Sequence, residues 1–354
     1  MPLDSPALER QVVDGRDRLF RYMAARDFAG PDPYDALTSP LAALAKRPRL
    51  RQALLQVNRR SPIDLRPVLR TRRLRMATTL GLVVSGLVRR SQPDDGPLLE
   101  TMAAELRRRK VDAAWGYEFD VQTRWGYYPA GSPNIVATAF VLEGLHDAGQ
   151  VGDTAEGLAA WLSGPMRHPQ GFIRYVPGDE SLIHNGNLLG ARSLDRVAPR
   201  HPAVAEAVAV TVAAQQADGT WPYGQAPNLS WVDSFHTAYV LACLADLEWV
   251  DGAPAALDRG IEAWASTCFE LDGTPRYYAG KAGSADANNV ATAVETLARF
   301  QDRNERCRAL LPGAIRAALA MQRSDGAIVT GRAKVPYMRW NQASMFRALA
   351  EVAR

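Results

Sequence analysis

Apolar residues along the chain recur in stretches that are hydrophobic nearly all round a helical turn. They begin near Asp32 (DPYDALTSPLAALA), Leu74, Ser132, Ile183, Trp231 (WVDSFHTAYVLACLADL), Ser284 and Arg339. From the third onward the starts lie about fifty residues apart, a period typical of repeat architectures. Helices of this kind are packed on both sides. Between them run amphipathic segments with one polar face, at 97–109, 201–216 and 312–323, each with a Pro or charged start. Strand signals are thin: FIRYVP (172–177) and TPRYY (274–278) read as short hairpin pieces in loops.

Alternating buried and amphipathic helices predict an all-α, closed α/α toroid of six or seven helical hairpins, with inner helices around an axis and outer helices facing water. An open solenoid would need polar capping repeats, and the terminal segments here are as apolar as the middle ones. No composition break interrupts the pattern, so residues 1–354 are predicted to form one domain.

Polar residues gather at the N-terminal ends of the predicted inner helices: Asp35, Asn134, His184, Asn187, Asp233, His236, Asn288, Asn289 and Asn341. In a closed ring those ends share one face and would surround a common pocket. Helix capping explains Ser132, Ser284 and Asp35. It fits His236, Asn187 and Asn341 poorly, because they lie inside a first turn.

Composition adds limits. Of 354 residues, 47% are hydrophobic and 23% charged, enough to bury a large core. No apolar run is long enough to span a membrane, and the N-terminus lacks the basic and apolar regions of a signal peptide; the expectation is a cytoplasmic protein. Three scattered cysteines, Cys243, Cys268 and Cys307, suggest buried inert thiols. Between Arg47 and Arg75 stand ten arginines against one acid, Asp64. Such a run suits an anionic contact or a peripheral membrane surface. Without aromatic residues for base stacking, nucleic acid is not expected.

The turns carry a signature: Gln215, Gly219 and Trp221 in QQADGTW, repeated as Gln322, Gly326 and Ile328 in MQRSDGAI. Asp-Gly makes a tight turn, and the Trp is expected to pack back on the outer helix. Here the chain resembles the prenyltransferase and squalene-cyclase repeat superfamily, whose toroids carry Gln-x-x-x-Gly-x-Trp turns. Longer segments, among them WGYEFDVQTRWGYYPAGSPNIVATAF, IHNGNLLGARSL and RWNQASMFRAL, resemble bacterial repeat proteins associated with polysaccharide or specialised biosynthesis. Proton-initiated cyclases of this resemblance use Asp-x-Asp-Asp where this chain has DANN, so Asp286 stands with Asn288 and Asn289 in place of further acids. Prenyltransferase-like zinc would need an Asp-x-Cys that SLIHNGN replaces, leaving His236 without two co-ligands. No metal and no cofactor are expected.

The remaining groups suit acid–base chemistry. Asp233 and His236, three apart, can form a pair working near neutral pH. Asp120, in the aromatic loop with Arg124 and Trp125, could face Asp233 across a glycosidic bond. Arg339, Trp340 and Asn341 open the last inner helix, where an anion would be favoured, and Trp231 supplies a stacking face.

The expected function is therefore metal-independent acid–base chemistry (elimination, isomerisation or hydrolysis) on a small-molecule substrate, a carbohydrate-like or other polar, possibly phosphorylated precursor. Catalysis is assigned to Asp233, His236, Asp120 and Asp286. Substrate contact is assigned to Asp35, Arg124, Trp125, Asn134, His184, Asn187, Trp231, Asn288, Asn289, Arg339, Trp340 and Asn341. One alternative is an isoprenoid cyclase with Asp286 or Asp233 as proton donor. Another is a non-catalytic toroid binding a glycan or lipid-linked intermediate.

Overall fold

The computed structural model describes residues 5–123, 126–281, 283 and 286–353. Six nearly all-buried helices form the inner ring: α4 (Ala77–Arg90), α6 (Ile135–Asp147), α8 (His184–Val197), α10 (Ser234–Asp246), α12 (Ala287–Phe300) and α14 (Ser344–Val352). Each touches the next, and α14 touches α4, so the ring closes. The outer layer is α5 (Gly96–Arg108), α7 (Thr154–Ser163), α9 (Pro202–Ala213), α11 (Ala253–Thr267), α13 (Glu305–Ala320) and, from the start of the chain, α1 (Pro6–Ala24). Packed on both α13 and α14, α1 supplies the outer partner that the last inner helix lacks. The toroid therefore has six hairpins, the sixth assembled from both ends of the chain.

Three expectations are corrected. The stretch from Asp32 is not an inner helix but two 3-10 turns, Asp35–Thr38 and Pro40–Leu44, followed by α2 (Pro48–Arg60) and the short α3 (Arg66–Leu69). Helix α13 begins at Glu305, so Pro312 lies inside it rather than at its start. Among the described residues the paired strands are β1 (Val121–Gln122) and β2 (Tyr127–Tyr128), in the aromatic loop; 172–177 and 274–278 contribute only isolated bridges.

The signature turns tie hairpin to hairpin. Gln215 donates to the Gly219 carbonyl at 3.0 Å and to Ala256 of α11 at 2.9 Å, while Trp221 donates to Thr211 of α9 at 2.8 Å. In the repeat, Gln322 donates to Gly326 and, at 2.8 Å, to Gly15 of α1, clasping the two chain ends. Gly219 (φ 85°) and Gly326 (φ 90°) adopt the left-handed conformation that favours glycine. The three cysteines are buried, and burial pushes their thiols up, to about 11 for Cys243 and Cys268 and about 12 for Cys307.

At the C-terminal ends of the inner helices the axis is filled by charge. Arg347 (α14) bridges Glu295 (α12) at 2.6 Å and Glu143 (α6) at 3.0 Å. Glu143 also meets Arg192 (α8) at 3.3 Å, and Asp246 (α10) meets Arg299 (α12) at 2.6 Å. Arg89 (α4) meets Asp147 (α6) and Glu351 (α14). Every inner helix thus joins one girdle, around a cavity of about 260 Å³. Burial alone would raise the Glu143 carboxyl, but Arg192 and Arg347 outweigh it and hold it well below the usual range.

Removing one member of such a network strands its partners. Arg347→Met should therefore lower unfolding free energy by about 3–5 kcal/mol in urea titration; a change below 1 kcal/mol would mean the girdle is not what holds that end closed.

Candidate functional site

The opposite end of the axis is a chamber of about 770 Å³. Its walls come from the N-terminal halves of the inner helices, including Thr78, Val136, Asn185, His236, Asn288 and Ser344, and from the loops before them. Helix α2 closes one side with Gln52, Leu55, Gln56, Arg59 and Arg60. Twelve of the lining side chains are aromatic rings, seven of them tyrosines.

His236 is held by the residue that starts its own helix. Asp233 is the N-cap of α10 and accepts the His236 backbone N–H at 2.7 Å. Its other oxygen contacts His236 Nδ1 at 2.7 Å and accepts Trp231 Nε1–H at 2.9 Å. Burial pushes the Asp233 carboxyl up, yet the charge and hydrogen bonds of His236, with the bond from Trp231, bring it below the ordinary value. The ionised carboxylate accepts a hydrogen bond from Nδ1–H, which fixes the tautomer and leaves Nε2 as the nitrogen that Asp233 does not engage, on a ring that lines the chamber. Tyr223 stacks on Trp231 (4.7 Å between centroids) and lies 4.5 Å from the imidazole, fixing its tilt.

Of the other residues singled out in the sequence, Trp231, Asn288, Trp340, Asp120 and Arg339 also line the chamber. The two charged residues among these are already engaged. Asp120 contacts the Tyr127 hydroxyl and accepts Ala130 N–H at 2.8 Å, bracing the β1–β2 loop. Arg339 is spent on Asp32 through Nε at 2.8 Å and Nη2 at 3.0 Å, so its charge is neutralised rather than offered to an anion. Arg124 and Trp125 lie outside the described residues.

The rest are turned away from the chamber, each for an identifiable reason. Asp35 accepts Arg66 Nε at 2.9 Å and Asn58 at 3.2 Å, a buried tie beneath α2. Asn134 and Asp286 are N-caps, bonded to the backbone N–H of Ala137 and Asn289; the capping expected of Ser132 belongs to Asn134, and Ser284 lies outside the described residues. Asn187 accepts Ile173 N–H and donates to the Ala207 carbonyl. Asn289 donates to the Arg276 carbonyl, and Asn341 donates to the carbonyls of Ile328 and Val335. His184 packs on Thr211, away from the chamber.

Asn187, Asn289 and Asn341 have a common task. Each clasps the loop before its own helix, a little ahead of a tyrosine on that loop: Ile173 precedes Tyr175, and Arg276 precedes Tyr277. Thr138 does the same for Trp115, ahead of Tyr117. Tyr117, Tyr175, Tyr223 and Tyr277 all line the chamber, and burial raises all four phenols above their ordinary value. They are neutral donors at physiological pH. Tyr117 belongs to the aromatic loop WGYEFDVQTRWGYY that stands out in the sequence. A shared pattern marks the other three, a tyrosine four residues after a turn glycine in GFIRY (171–175), GTWPY (219–223) and GTPRY (273–277).

Beside the chamber a smaller pocket of about 140 Å³ is lined by Pro129, Val176, Ile183 and Leu229, and shares Tyr117, Tyr175 and Tyr223 with it. Among the described residues no group of three His, Cys, Asp or Glu side chains is placed to hold a metal ion. No helix among them is long and apolar enough to cross a membrane.

No family model and no curated protein matches the sequence. Solved structures do. A variant of the type II terpene cyclase MstE from Scytonema superposes with a TM-score of 0.63 at 12% identity, covering 98% of each chain. A possible member of the GH105 family from Salmonella enterica gives 0.58 at 15% identity, over 78% of this chain and 82% of that one. Cellobiose 2-epimerase from Bacillus thermoamylovorans gives 0.56 at 10% identity, over 77% and 87%. The chain therefore has the α/α-toroid fold that the resemblance implied.

His184 makes a testable demand on pH. Burial lowers its imidazole from 6.5 to about 4, and its buried Nε2 has no partner. A base depressed in the folded state contributes stability that is complete above pH 6.5 and lost as pH falls toward 4. That loss should reach roughly 3 kcal/mol. Comparing melting temperature against pH for the native chain and His184→Gln checks it; parallel profiles would contradict the assignment.

Proposed function

We propose that the chain is an enzyme performing metal-independent acid–base chemistry on a hydroxylated, carbohydrate-like substrate, with His236 exchanging protons through Nε2. The observation that carries this reading is the Asp233–His236 pair at the chamber wall. Asp233 and Trp231 are positioning residues: they hold the ring's tautomer and tilt. Proton transfer by such a group contributes about 10²–10⁴-fold to rate.

The wall supports a hydroxylated ligand. Sugars stack their C–H faces on aromatic rings, and seven of the twelve rings here carry hydroxyls. A hydrocarbon would leave Asn185 unpaired and offer no hydrogen bond to the ring hydroxyls, at about 1–3 kcal/mol for each buried polar group left without a partner. Asn185 Oδ1 has no protein partner and lies on the chamber wall. Exposed Arg59 and Arg60 at the mouth favour a ligand with an acidic group, such as a uronate or phosphate. The smaller pocket beside Tyr117 and Tyr175 suits an apolar appendage on that ligand.

A second reading, isoprenoid cyclisation, is favoured by one observation. Burial raises the Asp286 carboxyl, which also hydrogen-bonds Trp340 of the chamber wall, a more readily protonated acid bonded to one of the aromatic rings that would stabilise a cation. The non-catalytic reading gains support from no comparable feature.

One experiment separates the three. Hexuronate glycosides, sugar phosphates and prenyl diphosphates are incubated with the chain in heavy water and followed by NMR for deuterium at carbon or new product. His236→Ala should abolish turnover of a sugar, and Asp233→Asn should reduce kcat at least tenfold while leaving KM nearly unchanged. Asp286→Asn should leave it intact. Turnover of a prenyl substrate that survives His236→Ala and fails in Asp286→Asn would replace this reading with the cyclase. Binding without turnover would replace it with a carrier.

A further inference from the structure

The segment between the first 3-10 turns and α4 has a surface unlike the rest of the molecule. Half of the twelve large hydrophobic side chains that are exposed among the described residues fall between positions 41 and 68: Leu41, Leu44, Leu50, Val57, Ile63 and Val68. Leu44 and Val68 are each 76% exposed, and Ile63 64%. On α2, Leu50 and Val57 lie seven residues apart and so share a helical face, opposite buried Leu55. Exposed apolar groups this concentrated mark an interaction surface.

Charge frames them. Within the basic run, buried Arg66 is tied to Asp35 and half-buried Arg75 to Glu105 and Asp27. Lys46, Arg47, Arg49, Arg70, Arg72 and Arg73 are exposed and form no ion pair with a described residue. A single exposed acid, Asp64, stands among them. A face that combines projecting aliphatic side chains with unpaired cations matches the boundary of an anionic bilayer, where the former enter the acyl region and the latter meet headgroups. A protein partner of complementary charge would need no such row of separately projecting aliphatic tips.

We propose that residues 41–73 form a docking face for an anionic lipid membrane. The face adjoins the chamber: Gln56, Arg59 and Arg60 of α2 are at once exposed and part of its lining, and half-buried Gln52 lines it too. Exposed Trp231 and Tyr278, which also line the chamber, supply rings suited to the headgroup layer. Docked in this way, the chamber opens toward the lipid surface, so a membrane-borne amphiphile reaches it without crossing water. The inference rests on this surface alone, not on the chemistry of His236.

The test is co-sedimentation of the full chain with phosphatidylcholine vesicles and with vesicles that also contain phosphatidylglycerol. The chain should bind the second and not the first, and high salt should weaken that binding. Arg47→Glu with Arg49→Glu should weaken it more than tenfold, since each basic residue near such a surface contributes roughly fivefold. Leu44→Asp with Val68→Asp should also abolish it. Arg308→Glu, on the far outer layer, should bind as the native chain does. The positions are exposed, and circular dichroism verifies that each variant is folded. Absence of binding to phosphatidylglycerol vesicles, equal binding to both vesicle types, or unchanged binding by either double variant would overturn the proposal. So would concentration-dependent self-association in solution that Leu44→Asp abolishes, which would make the face a contact between copies of the chain.

Discussion

Six apolar helices standing side by side around an axis must fill that axis or leave it hollow, and this closure governs the rest of the molecule. The chain does both. At the C-terminal ends, arginines and carboxylates from all six inner helices interlock. At the N-terminal ends, tyrosines from the loops line an open chamber. Tyr239 of α10 faces both spaces and separates them. A buried charge network contributes less stability than well-packed apolar side chains would. Its value here is geometric, because each pairing fixes one inner helix against another and so fixes the width of the chamber. The clasp of Gln322 on Gly15 then joins the chain ends.

Closure also explains where the polar side chains go. Every inner helix begins with backbone N–H groups that have no helical partner, and all six beginnings sit at the chamber end. Asn134, Asp233 and Asp286 satisfy some of these donors as N-caps. Asn187, Asn289 and Asn341 instead hold the backbone of the preceding loops. Much of the polarity at the mouth is therefore scaffolding, and it determines which rings project into the chamber.

The helices were legible because their signal is local: period, burial and spacing. The toroid and the packing of Trp221 back on its outer helix could be read for the same reason. The outer role of α1 could not, since it depends on contact with α13 and α14 at the other end of the chain. The site was legible only in part. A polar residue at a helix start has the same appearance whether it faces a ligand or a loop. Asp35 is claimed by Arg66, thirty-one positions away, and Asn187 by Ala207, twenty away. Nothing near either residue announces its partner. His236 was identifiable because its partner, Asp233, lies one turn earlier on the same helix. Tyr175, Tyr223 and Tyr277 carry no signal one loop at a time; their common position after a turn glycine appears only when GFIRY, GTWPY and GTPRY are set side by side.

Asp233 and Asp286 carry this reasoning one step further. They occupy the same station, the N-cap of successive inner helices, and each accepts the backbone N–H three residues on. Burial pushes both carboxyls up. At Asp233 an imidazole and an indole N–H oppose it, and the carboxyl ends below its ordinary value. At Asp286 the opposing bonds from Asn289 and Trp340 are too weak, and the carboxyl ends above it. One repeated structural position thus yields a carboxylate in one hairpin and a more readily protonated acid in the next. Environments that drive like groups apart are how a protein divides acid from base. The toroid achieves this by changing the neighbours of a cap while keeping the cap, so that one repeat architecture holds a carboxylate at one helix start and a more readily protonated acid at the next.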